Sequence, residues 1–183
     1  TGASPNAFTS HNMTAYYFSC TSNFEENLRI LTRFVFTPYF TDANVAKEKG
    51  IISQEIRMME DTPFWQSYAG MYQGLYHEHP VRIPIAGSVD SIAPITPALL
   101  FQCHRAFYSP ANMVLVVCGT ANFDSIVSIA EQYSPREAAH IASRNYGARR
   151  ADVCQSEVVR TMAVSQPSFL LGFKDLPVQP GES

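Results

Sequence analysis

The sequence lacks most of the signatures that announce a chemistry. Charged residues make up only 16% of it, and 13 Lys and Arg against 16 Asp and Glu leave a net charge of −3. No basic field is available to hold nucleic acid or an anionic lipid surface, so both are excluded as principal partners. Apolar runs such as Met113 to Cys118 fall far short of the roughly 20 residues that a membrane-spanning helix needs. The four cysteines, Cys20, Cys103, Cys118 and Cys154, form no CxxC pair. A zinc ribbon, a thioredoxin-type redox pair and a dense disulfide framework are thereby excluded; the cysteines read as reduced core thiols and point to the cytoplasm. P-loop, GxGxxG, GxSxG, HExxH and HxxEH patterns are all missing, which removes kinase, nucleotide-binding and α/β-hydrolase readings.

What is present suffices for a folded core. Of the 183 residues, 46% are hydrophobic and 12% aromatic. Two stretches rich in Thr and aromatics, Ala3 to Thr9 and Met13 to Cys20, read as the strands of a hairpin turning near His11-Asn12. Ser22-Asn23-Phe24-Glu25 has the form of a capping box, and Phe24, Leu28, Leu31 and Val35 then recur at helical spacing up to Thr37-Pro38. A second helix is predicted from Asp42 to about Asp61, with Val45, Ile52, Ile56 and Met59 as its apolar stripe. A third runs through Trp65, Tyr68, Tyr72 and Tyr76 to a stop near His79-Pro80. A loop punctuated by Pro and Gly follows, to about Pro94. Thr96-Pro97 opens a helix that ends before Pro110, and Asn122 opens another through Ile126, Ile129 and Tyr133. Met113 to Cys118 reads as a central strand buried on both faces, and Val153 to Val164 and Phe169 to Phe173 as further strands. The fold class expected is α+β, a mostly antiparallel sheet with helices packed on one face.

The most informative stretch is Val45 to Ile56. Glu48 and Glu55 are seven residues apart, two turns along one helix face, with Ile52 between them. A carboxylate on an apolar stripe needs a cation, a metal or several donors; alternatively the helix turns both groups to solvent or to Lys and Arg. The histidines are less telling. His77 and His79 diverge on a helix, and His11, His104 and His140 are isolated, so surface or helix-end roles suit them. The segment Asn6-Ala7-Phe8-Thr9 suits a sheet edge able to pair with an extended peptide through its main chain, with pairing inside the core as the other reading. The aromatics Phe64, Trp65, Tyr68, Tyr72 and Tyr76 suit core packing, or a partner surface.

Taken in order, Gly2 to Thr9, Thr14-Ala15-Tyr16, Pro38-Tyr39-Phe40, Glu48 to Glu55, His79-Pro80, Gly87 and Tyr108 to Gly119 resemble the pitrilysin/insulinase family of zinc metallopeptidases over about residues 1 to 135. The likeness is to bacterial members of processing-peptidase type, such as the insulinase-like proteins associated with elongation factor P modification. The resemblance implies a zinc endopeptidase for peptides in extended conformation. In the family an HxxEH motif gives two His ligands and a Glu general base, and a downstream helix gives a third ligand. By resemblance Glu55 is that third ligand to Zn2+, Glu48 is the acidic residue supporting it, and Asn6, Ala7 and Phe8 bind substrate backbone. It further implies an internal fragment without HxxEH, inactive by itself. Residues 1–149 would be the remainder of the N-terminal peptidase half, and 150–183 a linker with the first strands of a second, homologous half. Expected partners are a peptide substrate and that second half or a paired family subunit. A non-catalytic partner subunit or scaffold of the same family is the alternative.

Overall fold

The computed structural model describes residues 2–135, 143–148 and 150–175. Its contacts divide the chain into two compact units, Thr1–Ala46 with Ile95–Ser143 and Lys47–Pro94 with Arg144–Ser183. The class is α+β: six α-helices accompany a two-stranded antiparallel sheet among the described residues.

In the first unit, β1 (Ser4–Thr9) and β2 (Thr14–Ser19) form the expected hairpin, with Ala7 opposite Tyr16 and Thr9 opposite Thr14. Period-two alternation sends Tyr16 and Phe18 to the helix side, where they meet the rings of Phe34 and Phe24 of α1 (Phe24–Phe36) at 5.8 and 6.0 Å. α1 packs on α6 (Phe123–Tyr133), and Leu28 on one and Ile129 on the other are only 1% and 2% exposed. α6 starts where the sequence places it, because Asn122 accepts a hydrogen bond from Ser125 N. α5 (Pro97–Phe107) is capped by Thr96, which accepts from Leu99 N.

The start of α1 departs from expectation. Asn23 is its cap, but with φ of 54° it sits in the left-handed region and makes no side-chain cap bond, so the capping box does not form. The side chain of the buried Asn27 takes over instead, donating to Asn23 O at 2.9 Å and to Ser22 O. Asn is among the few residues that tolerate this conformation.

α2 (Asp42–Glu60) begins with a reciprocal pair in which Asn44 Oδ1 accepts from Thr41 N and Thr41 Oγ1 from Asn44 N. Of its predicted stripe, Val45 and Ile56 are buried while Ile52 and Met59 are half-buried. In the second unit, α3 (Pro63–Leu75) carries Gly70 and Gly74, each costing about 1 kcal/mol against Ala inside a helix. Their use is steric. A Cβ at either position would stand 3.3 Å from a methyl group of Val158, and at Gly74 also 3.1 Å from Gln155 O. A segment without regular secondary structure therefore lies on this helix, fixed further by Gln155 N donating to Gly74 O and by Arg160 donating to Gln73. The expected loop 80–94 holds a short helix, α4 (Val89–Ile92), with a complete capping box between Ser88 and Ser91.

Three expected strands are absent among the described residues. Met113 has strand dihedrals, φ −128° and ψ 154°, yet Met113 to Cys118 joins no ladder, and Val114 and Val116 are 88% and 82% exposed. Residues 153–164 and 169–173 likewise run without strand pairing. An apolar run specifies strand conformation, but a ladder requires a second backbone, and none of the described residues supplies one. The thiols also differ from expectation: all four are free, but Cys103 and Cys118 are exposed and the other two half-buried, so they are not core residues. His140 lies outside the described residues.

Candidate functional site

The candidate peptide-binding residues sit on an open sheet edge. Among the described residues β1 pairs with β2 on one side only, and all six of its residues are exposed. The direction of its main-chain groups follows from the turn, where Ser10 N donates to Met13 O at 2.8 Å. Successive amides of a strand alternate in direction, so Phe8 and Asn6 also face β2, whereas Pro5, Ala7 and Thr9 face the open edge. Pro5 has no N–H, and Ala7 N already donates to Asn6 Oδ1 at 2.8 Å. The edge therefore offers an incoming strand three carbonyls, one ready donor at Thr9, and one donor held by a side chain. Phe8 lies on the outer face, edge-on to Tyr17 with centroids 6.3 Å apart, and its ring stays half open to solvent.

The candidate metal residues lie on α2 in the second unit. Glu48 and Glu55 are both exposed, two turns apart along one face of the helix. Between them in sequence, Lys49 Nζ donates to Ala93 O at 2.7 Å and Ser53 Oγ to Lys49 O. Asn6, Ala7 and Phe8 belong to the first unit and the two carboxylates to the second. Among the described residues no three His, Cys, Asp or Glu side chains gather as a metal site would require. The donors of the described residues do not by themselves fit a zinc ion.

Sequence reading missed two polar clusters whose members are far apart along the chain. At the end of α3, His77 Nε2 stands 3.1 Å from Asp152 Oδ2, and Arg150 donates to both oxygens of the same carboxylate, each at 3.1 Å. The hydrogen bond from Arg150 holds the Asp152 carboxyl below the usual carboxylate range. Nearby, His79 stacks on Tyr146 with planes 7° apart and Lys174 Nζ lies 5.1 Å over the Tyr76 ring. These contacts fasten residues 146–174 to the end of α3 and continue its aromatic row, in which the Tyr72 phenol is pushed upward by its hydrogen bond to Tyr68. The second cluster joins Tyr16, Tyr108 and His104 in the first unit. No local spacing signals either cluster, because 75 and 92 residues separate the bonded partners.

Known proteins agree with this architecture. Residues 1–87 match the family model described as insulinase (peptidase family M16), and residues 94–181 match that of the peptidase M16 inactive domain. The uncharacterized zinc protease YmfH of Bacillus subtilis is 54% identical over 127 residues, 69% of this chain and 30% of its own length. The uncharacterized zinc protease YmxG of the same organism is 27% identical over 97% of this chain and 43% of its own. The chain thus spans less than half the length of these relatives. Among solved structures, an M16-like peptidase from Alicyclobacillus acidocaldarius superposes with a TM-score of 0.76 at 40% identity, over 85% of this chain and 37% of that one. No helix among the described residues is long and apolar enough to cross a membrane. With two models of one peptidase family covering nearly its whole length, and relatives alike in sequence and in fold, the chain belongs to the insulinase, or M16, family.

Proposed function

We propose that this chain is the peptide-binding and ligand-donating part of a zinc metalloendopeptidase that acts on peptides in extended conformation. The observation that carries the reading is the open edge of β1, an exposed strand with its outer carbonyls available to a partner strand. Within Asn6-Ala7-Phe8, Ala7 presents its main chain to the peptide backbone there, and Asn6 and Phe8, whose main-chain groups pair with β2, flank the bound peptide with their side chains. Glu55 donates one carboxylate to a zinc centre completed by residues other than these 183, and Glu48 supports it. The names of the relatives support zinc for the family. The peptide substrate and a second homologous half or a paired subunit are the proposed partners. Residues 1–149 form the peptidase half, residues 150–183 open the second half, and the cytoplasm is the compartment that free cysteines favour.

A second reading makes the protein a non-catalytic partner or scaffold of the same family; the match of residues 94–181 to a model described as an inactive domain favours it. Calorimetric zinc titration separates the two. The 183-residue chain alone should take up no stoichiometric zinc at micromolar concentration. A full-length polypeptide containing it should retain one zinc per chain, lose it on Glu55→Gln, and cleave an unfolded protein. Retained zinc in the Glu55→Gln variant overturns the ligand assignment, and a metal-free, inactive full-length protein selects the scaffold.

A further inference from the structure

Side chains from three elements meet on the helix side of the hairpin. Tyr16 of β2 and Tyr108, the residue that ends α5, share a hydroxyl-to-hydroxyl hydrogen bond of 2.7 Å. Tyr108 lies flat against His104, with centroids 4.5 Å apart and planes at 15°. His104 Nε2 in turn donates at 2.8 Å to Val35 O, in the last turn of α1, where helix carbonyls lack partners within the helix. Because a carbonyl only accepts, this bond fixes the ring proton on Nε2. Burial, and then the bond to Tyr16, push the Tyr108 phenol far above its ordinary range, so the hydroxyl stays protonated at any physiological pH.

The chain of contacts ends at the open edge. Tyr16 is the cross-strand partner of Ala7, the middle of the three proposed peptide-binding residues. All six residues of β1 are exposed, so packing does not fix the strand directly and its place is set through β2. β2 itself meets α1 through the rings of Tyr16 and Phe18, and of these two Tyr16 also makes a directional bond.

We propose that Tyr108 is the positioning residue of the edge strand: its hydroxyl bond to Tyr16 fixes where β1 presents its open side, while His104, itself tied to α1 through Val35 O, backs the Tyr108 ring. This rests on the reading of β1 as a peptide-binding strand. The bond acts on orientation, since nothing about it touches a peptide. A peptide that adds to a strand needs several main-chain groups in register at once, so freedom in β1 lowers affinity without removing a contact.

Hydrogen exchange of the 183-residue chain, with binding of a short fluorescein-labelled peptide of alternating Thr and Val, tests it. Tyr108→Phe should speed exchange of the β1 and β2 amides about five-fold and weaken peptide binding by about the same factor, while amides of α3 are unchanged. Tyr16→Phe should do the same, and the double variant should add nothing, because either change removes the one bond. His104→Ala should loosen the hairpin, whereas His104→Gln, whose amide can still donate to Val35 O, should restore slow exchange. Unchanged hairpin exchange in Tyr108→Phe, or effects of the two Tyr variants that simply add, overturns the proposal. Should the unaltered chain bind no peptide while exchange responds as stated, the peptide-binding reading falls and the positioning role stands.

Discussion

The β1–β2 hairpin and the segment Met113 to Cys118 read alike in sequence, yet only the first is sheet. The hairpin brings its partner within a four-residue turn, so the entropic cost of closing the ladder is small. Met113 to Cys118 has stronger strand chemistry but needs a backbone from elsewhere; Met113 takes up strand dihedrals, yet no ladder forms and Val114 and Val116 lie in solvent. Conformation is thus a property of the segment, and pairing a property of its surroundings. The same contrast separates the α1–α6 pair, whose apolar faces meet each other, from the stretch 153–173, which uses α3 as its support.

The largest effect is expected where pairing is complete. Leu28→Ala removes a side chain only 1% exposed at the α1–α6 contact and should cost about 2–5 kcal/mol in urea unfolding of the chain, with the hairpin lost in the same transition. A smaller, more local effect is expected at α3. Gly74→Ala places a methyl 3.1 Å from Gln155 O, a backbone atom with little room to yield; about 1–3 kcal/mol should be lost, and trypsin should cut sooner after Arg160 than in the unaltered chain. If Gly74→Ala instead raises stability through helix propensity, the segment is not seated on α3. The smallest effect belongs to Val114→Thr with Val116→Thr. Both positions are open, so stability should stay within about 0.5 kcal/mol. A large loss there would mean that this segment is paired after all, and would erase the comparison.

How much was readable depends on the range of the interaction. Helix limits at Thr96-Pro97, Asn122 and Thr37-Pro38 were legible because caps and breakers act within a turn. At Asn23 the local pattern misled, since Asn27, one turn later, satisfies the carbonyls that a capping box leaves aside. Gly70 and Gly74 look like flaws until Val158 is placed beside them, more than 80 residues away in the chain. The spacing of Glu48 and Glu55 on one helix face was readable from the 3.6-residue period, but their exposure depends on what covers α2 and no periodicity contains that. Tyr16 and Tyr108 form a bond that composition and motif cannot announce, because neither residue has a neighbour in sequence that marks it.

The lopsided edge of β1 bears on self-association. Two copies laid edge to edge, antiparallel about Ala7, would match each Thr9 amide with Pro5 O of the other but leave the Ala7 and Thr9 carbonyls without a free donor, so neither could complete a ladder on the other. A flexible peptide able to supply donors opposite those oxygens meets no such obstacle. One proline and one asparagine thereby discourage fibre growth while leaving the strand usable, and replacing both by valine should turn a dispersed chain into one that gels.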